Sequence, residues 1–377
     1  MTAALQTAKE SPSVALAHDY LLVLRGAERT FAAMADLYAG SPIHTLLYDE
    51  EGTDGRFAGR SIETSPLQRL GVGQSSFRRL LPLYPWAAGR LRPERCDVVL
   101  TSSSAFAHGL RPPAGAVHVC YCHAPFRYAW YEEERALQEA PAPLRPLLRL
   151  QLQRMRKWDL GASGRVDSYI ANSELTRERI KRYYGRDSVV IHPPVETHRF
   201  DLGEPGEALL VVGEVVRHKR VHIALEGARR AGVPIQIVGV GPDHASLSEA
   251  YPEAEFLGRV TDAELVELYP RARAVVVASK EEFGITAVEG QAAGRPVIAA
   301  AAGGALETVI DGKTGLLATL DDPDSFAAAM RAVDDLDFDP AAARENARRF
   351  SVEAFQTRLA AEVARIARSG AAAAQLL

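Results

Sequence analysis

The stretch that decides the fold is RAVVVASKEEFGITAVEGQAAGRPVIAA, residues 273–300. It opens with a Val-rich run typical of a buried strand, passes through a short loop, continues as a helical pattern and reaches a second apolar run, PVIAA. Gly294 stands where the helix must end before that second strand. A strand, a helix and a strand in this order predict a parallel pair joined by a crossover helix.

The same alternation of apolar runs and helical patterns extends along the whole chain of 377 residues, which is too long for one ordinary core. Near-continuous Val, Ile and Ala runs are typical of parallel strands that are buried on both faces. The sequence therefore predicts an α/β protein with two doubly wound, Rossmann-like domains that face a central cleft. The runs are VALA, IHTLL, DVVLT, AVHVCY and SYIAN in the first series and ALLVVG, IQIVG, RAVVVAS and PVIAA in the second.

The boundary between the two series lies in HPPVETHRF, where Pro193 and Pro194 end strand pairing before the pattern starts again. We expect the first domain over residues 1–193 and the second over residues 194–350. Periodicity predicts a last amphipathic helix over residues 351–370, and we assign that helix to the first domain.

The composition is 47% hydrophobic and 24% charged, and no apolar run approaches the roughly 18 residues that would span a bilayer. The opening MTAALQTAKESPS lacks the apolar core of a signal peptide. We therefore expect a cytoplasmic protein. Cys120 and Cys122 alternate along an apparent strand and point to one face, so we expect them to pack in a core and not to bind a metal.

Charge is distributed unevenly, since residues 1–195 hold 25 Lys and Arg against 20 Asp and Glu, and the remainder holds 19 against 28. The stretch LRPLLRLQLQRMRKW, residues 144–158, combines five cationic side chains with Leu, Met and Trp. One interpretation is an interfacial helix that attracts anionic lipid at the inner face of the membrane. The other is a core-facing helix with an Arg-rich face toward solvent.

The loop EEFGI, residues 281–285, lies at the carboxyl end of a strand, where open α/β sheets bind ligands. Gly284 permits close approach at a helix N-terminus, whose backbone N–H groups suit a diphosphate. Glu281 and Glu289 can reach the two ends of an extended ligand, and carboxylates bind sugar hydroxyls. In the alternative reading Glu281 caps the helix and Glu289 faces solvent.

Together with its neighbours this loop resembles glycosyltransferase family 4, which carries E-x7-E, then Ala-Gly-x-Pro-Val-Ile and a Gly-Gly-x-x-Glu turn, here AAGRPVIA and GGALETVIDGKTGLL. The resemblance implies the GT-B fold and retaining transfer of a hexose from a nucleotide-sugar bound by the second domain, with the acceptor on the side of the first. It also implies that Glu281 contacts hydroxyls of the donor sugar, that backbone at Phe283, Gly284 and Ile285 holds diphosphate and sugar, and that Glu289 binds the ribose.

The stretch VVGEVVRHKRVHIAL, residues 211–225, resembles the family's strand and loop with a diphosphate-binding Arg and Lys. Lys219 matches the lysine. Glu214 occupies the arginine position, where a carboxylate would repel phosphate. We expect Arg217 to take over the role of the missing arginine.

Two further stretches of the second half match the family near the nucleotide base. IVGVGPDH places Gly241 in the family's turn, and FLGRVTDAEL places Arg259 and Val260 where family members contact the base through their backbone.

In the first half, VALAHDYLLVLRGAER resembles the Gly-Gly-Ala-Glu-Arg form of the family, with Arg25 replacing one glycine. Gly26 would let the backbone approach the diphosphate. VCYCHAPFRYAWY places His123 at a strand end, and its resemblance to the family's His-Thr-Pro-x-Arg-Tyr pattern implies that His123 touches the donor sugar, with Arg127 as a secondary candidate.

HDY, GAER, CHAPFRYAW and SELTRERIKRYYG resemble the mannosyltransferase-like branch that acts in cell-surface polysaccharide assembly, which implies GDP-mannose as donor and a glycan or lipid-linked acceptor. Asp335-Leu-Asp337 has an Asp-x-Asp form but lies in an acidic turn, so we expect neither a metal site nor a cofactor, and no nucleic acid partner. Three alternatives stay open: a UDP-sugar donor on the same fold, a nucleotide-sugar epimerase, and a non-catalytic sugar-binding module.

Overall fold

The computed structural model describes residues 12–71, 73–74 and 76–374, with the backbone alone for 370–374. The chain divides into two compact units. The first contains the residues up to Asn172, Thr176–Ile191 and the residues from Gln356 onward, and the second contains Ser173–Leu175 and His192–Phe355. Each unit has its own sheet.

The first unit is built on a seven-stranded sheet of order β3-β2-β1-β4-β5-β6-β7, in which all pairings are parallel. Its central strands are made of the apolar runs that the sequence singles out, and β1 and β4 are buried along their whole length. The strands are β1 (Val14–His18), β2 (Ile43–Thr45), β3 (Ile62–Thr64), β4 (Val98–Ser103), β5 (Val117–Cys122), β6 (Ser168–Ala171) and β7 (Ser188–Val190).

Helices and short turns connect these strands. The helices are α1 (Gly26–Leu37), α2 (Tyr84–Ala88), α3 (Arg127–Trp130), α4 (Glu133–Glu139), α5 (Arg145–Ser163) and α6 (Glu174–Tyr184). The 19-residue α5 buries Leu152, Met155 and Ala162 at helical spacing. Cys120 and Cys122 lie in one buried cluster beside β6 and α6, as their alternation along β5 predicts.

The second unit has a six-stranded sheet of order β10-β9-β8-β11-β12-β13, again with parallel pairings throughout. Its strands are β8 (Leu209–Val212), β9 (Ile235–Val238), β10 (Glu255–Gly258), β11 (Val275–Val277), β12 (Val297–Ala300) and β13 (Gly315–Ala318). Its helices are α7 (Val221–Ala231), α8 (His244–Ala250), α9 (Asp262–Arg271), α10 (Ile285–Ala292), α11 (Ala305–Thr308), α12 (Pro323–Ala332) and α13 (Pro340–Arg348).

The strands of this sheet send alternate side chains into two separate cores. Val276 and Ile298 pack with α7 and α12 on one face, whereas Val275 and Val297 pack with α10 and α13 on the other. Helices therefore cover both faces of the sheet. This arrangement, with two parallel sheets in one chain, confirms the predicted class of doubly wound, Rossmann-like domains.

The last helix, α14 (Val352–Ala374), begins in the second unit and continues in the first. Within the first unit the side-chain amide of Gln356 donates to the carbonyl oxygen of Ala33 in α1 at 2.9 Å. Among the described residues no helix combines the length and the apolar character needed to cross a bilayer.

Candidate functional site

The candidate site of the second unit lies at the carboxyl edge of its sheet. Because the strands are parallel, the loops that follow β8, β9, β10 and β11 leave from the same edge. Backbone hydrogen bonds tie these loops together: Gly213 N–H donates to Val238 O at 3.0 Å, and Gly239 N–H donates to Gly258 O at 2.7 Å. The structure thus brings the predicted residues of this unit to one edge of the sheet.

An ion pair joins two of these loops. Lys219 Nζ lies 2.8 Å from Glu281 Oε2, and their side chains are 34% and 22% exposed. Ser279 Oγ donates to the other carboxylate oxygen, Oε1. Burial alone would raise the pKa of Glu281, but the charge of Lys219 and the hydrogen bonds from Lys219 and Ser279 outweigh it, so the pKa lies below its usual value. Glu281 is therefore a fixed carboxylate that a ligand can still reach.

Two glycines support the loop that carries Glu281. Gly304 N–H donates to the carbonyl oxygen of Glu281 at 3.0 Å. A Cβ on Gly303 would lie 2.2 Å from that same oxygen, and a Cβ on Gly304 would lie 2.0 Å from the carbonyl oxygen of Phe283. The Gly-Gly turn after β12 is therefore required by close backbone contact with residues 281–283.

The N-terminus of α10 completes this loop. Gly284 adopts φ +90° and is followed by Ile285, the first residue of the helix. Phe283 is buried in the core under α10, which fixes the loop from below. Residues 283–285 thus form the N-terminus of the eight-residue helix α10, at the carboxyl edge of the sheet. The first N–H groups of a helix have no partner within the helix and can bind an anion.

Glu289 lies on α10, about one turn beyond that N-terminus. The hydroxyl group of Tyr269 in α9 donates to Glu289 Oε2 at 2.5 Å. Tyr269 itself is fully buried. The carboxylate of Glu289 is thus held by a rigid partner, and it is only partly exposed.

The loop after β8 shows where the family's arginine is missing. Glu214 and Arg217 are both exposed, and Arg217 opens the short 3₁₀ turn that ends with Lys219. Arg217 is thus within one turn of the lysine that contacts Glu281. The replacement of the family's arginine by Arg217 stays a prediction.

Gly241 has a structural reason to be glycine. A Cβ at this position would lie 2.2 Å from the carbonyl oxygen of Val215. The turn after β9 therefore packs in close backbone contact with the loop that precedes Lys219. Arg259 and Val260 follow β10; Arg259 is exposed and Val260 is partly buried.

The candidate residues of the first unit lie at the carboxyl edge of its own sheet. His18 ends β1, and the register pairs it with Ser102 in β4. His123 follows β5, and its Nε2 lies 2.8 Å from Ser102 Oγ, which in turn lies 3.0 Å from His18 Nδ1. Burial, together with the charge that His18 can carry, lowers the pKa of His123 to about 3, so this ring is neutral at physiological pH.

Gly26 is the first residue of α1, and Arg25 before it is the N-cap. Glu28 accepts the backbone N–H of Arg25 at 3.0 Å. This bond closes the start of the helix and orients the loop after β1. Next to it, Asp19 is buried and accepts backbone N–H groups from residues 104–107, which ties the end of β1 to the loop after β4.

Sequence reasoning missed the side chains that hold these residues in place. Tyr269 and Ser279 have no spacing that marks them: Tyr269 reaches Glu289 from another helix, and Ser279 contacts Glu281 two residues further along. Ser102 lies near a strand end in SSSAFAHGL, but its contacts with His18 and His123 depend on the register of the sheet. His18 had a weak signal, because it opens HDY at the end of a strand. Glu307 of the Gly-Gly-x-x-Glu turn is also structural: it accepts the backbone N–H of Glu174 with both oxygens and lies 2.8 Å from His192 Nε2.

Two family descriptions match successive parts of the chain. "Glycosyltransferase Family 4" matches residues 24–199, and "Glycosyl transferases group 1" matches residues 194–350. The chain belongs to glycosyltransferase family 4. The two matches divide the chain at the same proline-rich segment, HPPVETHRF, that separates the two series of strands.

Curated relatives of this family 4 protein match it over part of their length. A D-inositol 3-phosphate glycosyltransferase of Streptomyces bingchenggensis is 30% identical over 205 residues, which span 44% of this chain and 45% of the relative. A glycogen synthase of Mycobacterium tuberculosis is 33% identical over 203 residues, which span 48% of each. The matched stretch thus covers about half of each relative.

Solved structures extend the likeness of the fold to nearly the whole family 4 chain. HepE of Anabaena in complex with UDP superposes with a TM-score of 0.69 at 16% identity, over 94% of this chain and 100% of that one. Sucrose-phosphate synthase of Thermosynechococcus elongatus gives a TM-score of 0.66 at 18% identity, over 94% and 100%. With the two parallel, Rossmann-like sheets, this likeness of fold confirms the predicted GT-B class.

Proposed function

We propose that this chain is a retaining glycosyltransferase that moves a hexosyl residue from a nucleotide-sugar to an acceptor hydroxyl. The observation that carries the proposal is the ion pair of Lys219 and Glu281 beside the N-terminus of α10. A cation and a helix N-terminus suit the diphosphate, and a fixed carboxylate suits the hydroxyl groups of a sugar. The edge of the second sheet therefore offers partners to both halves of a sugar diphosphate.

Departure of the nucleoside diphosphate places negative charge on the phosphate oxygens. In this proposal Lys219, Arg217 and the backbone N–H groups from Phe283 to Ile285 stabilise that charge. These groups supply the stabilisation without a metal ion. The family resemblance implies that the backbone at Gly26 also contacts a diphosphate.

The remaining contacts orient the donor. Glu281 accepts hydrogen bonds from hydroxyl groups of the sugar, and Glu289, oriented by Tyr269, accepts them from the ribose. Arg259 and Val260 contact the base through their backbone, next to the turn at Gly241. The family resemblance implies that His123 contacts the donor sugar.

The acceptor hydroxyl attacks the anomeric carbon from the face that the diphosphate leaves, and its proton passes to a phosphate oxygen. The bond from the anomeric carbon to the leaving oxygen breaks as the bond to the acceptor forms, and the configuration is retained. The residues of the chain hold and stabilise the reactants here, and none of them serves as a nucleophile.

Among donors we propose GDP-mannose, supported by the resemblance of the first half to mannosyltransferases of polysaccharide assembly. The acceptor that fits this role is a lipid-linked or polysaccharide-precursor glycan. A UDP-sugar is the second candidate, because HepE of Anabaena was solved with UDP and with UDP-glucose. Backbone contacts to the base would suit either nucleotide.

A thermal-shift panel of GDP-, UDP-, ADP- and TDP-sugars tests the donor, because a ligand that binds the folded state raises the melting temperature with its concentration. A rise that is selective for GDP-mannose supports the first donor, and a selective rise with UDP-glucose supports the second. A rise with none of the four sugars contradicts the proposal. The anomeric configuration of the product, measured by NMR, tests retention.

Two rivals give different products in the same assay. A nucleotide-sugar epimerase would convert the donor without an acceptor, and a sugar-binding module would bind the donor without transfer or hydrolysis. Product analysis with and without an acceptor glycan separates all three.

We also propose that the protein associates peripherally with anionic membrane through one face of α5. Leu147, Leu150, Arg154, Lys157 and Leu160 follow one another at three- or four-residue spacing, and all five are exposed. Leucines and cations on one face suit the boundary between acyl chains and anionic headgroups.

One cationic side chain of α5, Arg156, makes hydrogen bonds within the protein. Arg156 donates to the carbonyl oxygen of Ala129 and to Glu133, each at 2.6 Å. Arg156 therefore fixes α5 against its neighbours and is left out of the membrane-binding face.

A further inference from the structure

A series of polar contacts connects Glu28 in α1 with His123 in the first unit. Glu28 Oε1 lies 3.9 Å from His18 Nε2. His18 Nδ1 lies 3.0 Å from Ser102 Oγ, and Ser102 Oγ lies 2.8 Å from His123 Nε2. His18 is 2% exposed and Ser102 is fully buried, so water is excluded from the two contacts between serine and histidine, while the side chain of Glu28 is 15% exposed.

The serine hydroxyl limits how protons can be arranged along this series of contacts. Its partners among the described residues are the two histidines, so its single O–H donates to one of them and its oxygen accepts from the other. If it donates to His123 Nε2, the proton of neutral His123 sits on Nδ1. If it donates to His18 Nδ1, His123 carries its proton on Nε2, and its Nδ1 becomes an acceptor.

Glu28 distinguishes the two arrangements. In the first, neutral His18 carries its proton on Nδ1 and turns the lone pair of Nε2 toward the carboxylate of Glu28, which is unfavourable. In the second, His18 carries its proton on Nε2 and turns this N–H toward the carboxylate. The backbone N–H of Arg25 holds the other oxygen of Glu28, and the ring of Phe31 stacks on His18 at 4.8 Å, so neither partner can turn away.

We infer that Glu28 sets the tautomer of His123 through His18 and Ser102, so that His123 offers Nδ1 as a hydrogen-bond acceptor to a hydroxyl group of the donor sugar. The identity of that ligand rests on the proposed function, whereas the tautomer does not. Glu28, His18 and Ser102 are thus positioning residues for His123. They make the site favour a group that donates a hydrogen bond.

The tautomer can be measured on the full chain without substrate. In protein labelled with ¹⁵N-histidine at pH 8, two-bond ¹H–¹⁵N correlations distinguish the protonated nitrogen of each ring, and His123→Gln identifies the signals of His123. The expected result is a protonated Nε2 and an unprotonated Nδ1. Glu28→Gln retains an oxygen that can accept the N–H of Arg25 but removes the charge. This variant should shift His123 toward the Nδ1–H form.

Glu63→Gln is the matched control, because Glu63 Oε2 lies 3.3 Å from His44 Nδ1 in the same unit. It should change the signals of His44 and leave those of His123 unaltered. A wild-type His123 protonated on Nδ1, or a Glu28→Gln protein with unchanged His123 signals, would overturn the inference. Because no nucleotide-sugar is present, either result is independent of whether the transferase proposal holds.

Kinetics provides the second measurement once a donor is known. Ser102→Ala should raise the KM for the donor about fivefold with a smaller change in kcat, which corresponds to the loss of one orienting hydrogen bond. Ser102→Thr retains the hydroxyl and should restore both the KM and the tautomer. Equal loss of function in both variants would indicate that position 102 matters for packing only.

Discussion

Lys219 donates to Glu281 across 2.8 Å and so joins two loops that leave different strands of the second sheet. The pair explains how a half-buried carboxylate remains charged. The lysine ammonium compensates the cost of removing Glu281 from water, and the pKa of Glu281 falls below its usual value. A diphosphate that draws the ammonium toward itself would also release one oxygen of the carboxylate for a sugar hydroxyl.

Removing either partner of this pair should abolish transfer. We expect Lys219→Ala and Glu281→Ala to lower kcat/KM at least about 100-fold, because each loses a charged contact in the site. Steady-state kinetics with the identified donor measures the loss, and circular dichroism checks that the fold is retained. Glu253→Gln is the control, since it removes a carboxylate from an exposed pair with Arg229 and should leave the rate unaltered. Wild-type rates in either site variant would contradict the assignment.

The Gly-Gly turn after β12 allows a matched comparison of two glycines. Gly303 and Gly312 adopt φ +62° and +73°, so alanine is strained at both positions. A Cβ on Gly303 would also lie 2.2 Å from the carbonyl oxygen of Glu281, whereas nothing lies within 4 Å of a Cβ on Gly312. Both variants should lose about 1 kcal/mol of stability from the backbone, and Gly303→Ala alone should displace Glu281. Donor-induced thermal shift should thus disappear in Gly303→Ala and persist in Gly312→Ala; equal shifts in the two would refute the argument.

The first unit should lose stability in mild acid. Burial lowers the pKa of His118 and of His123 to about 3, whereas an unfolded histidine titrates near 6.5. Below about pH 6.5 the unfolded chain therefore binds protons that the folded chain does not, and unfolding is favoured as the pH falls toward 3. Each ring should cost about 2 kcal/mol at pH 5 relative to pH 8.

The three tryptophans of the chain provide the readout, because Trp86, Trp130 and Trp158 all lie in the first unit. Urea unfolding followed by tryptophan fluorescence at pH 8 and pH 5 gives the loss of stability. His118→Gln cannot take up the proton and should lose about 2 kcal/mol less between the two pH values. An identical loss in this variant and in the wild type would show that other groups cause the acid sensitivity.

The exposed face of α5 should bind anionic vesicles. We expect co-sedimentation with phosphatidylglycerol vesicles that weakens as salt rises, because the attraction of Arg154 and Lys157 to the headgroups is screened. Neutralising both residues to Gln, or changing Leu147 and Leu150 to Ser, should remove most of the binding.

Lys181→Gln with Arg182→Gln is the control for this experiment, since it removes two exposed cations from α6 in the same unit. Binding that falls equally in the control would indicate attraction by net charge alone. Absence of vesicle binding by the wild-type protein would contradict the membrane proposal.

The sequence was sufficient to predict the fold class because the strands are short, apolar and buried on both faces. Val275 and Val276 lie in opposite cores, so both positions must be apolar, and the pattern is visible without a structure. Boundaries were predicted less closely: the first domain was expected to end at residue 193, and the contacts place Ser173–Leu175, His192 and Pro193 in the second unit. His192 and Pro193 open the proline-rich boundary segment itself, whereas no change of composition marks Ser173–Leu175 at the start of α6.

For the candidate site, the sequence indicated residues that follow strands but not their partners. Ser102 and His123 are brought together by the pairing of β4 with β5, and His18 by the pairing of β1 with β4, across 84 positions of sequence. Periodicity does not encode such registers, because a strand that is buried on both faces has no alternation of apolar and polar residues to fix its pairing. The roles of the predicted donor-binding residues therefore remain predictions, with the kinetic and tautomer measurements as their tests.

The first unit takes its last residues from the end of the chain, since the residues from Gln356 onward belong to it and Gln356 bonds to Ala33. During synthesis the ribosome must first add the 164 residues His192–Phe355 of the second unit. At 5–20 residues per second this delay is roughly 8 to 33 s. For that time α1 lacks its partner helix on the nascent chain. The first unit can therefore make its final contacts only after α14 leaves the exit tunnel.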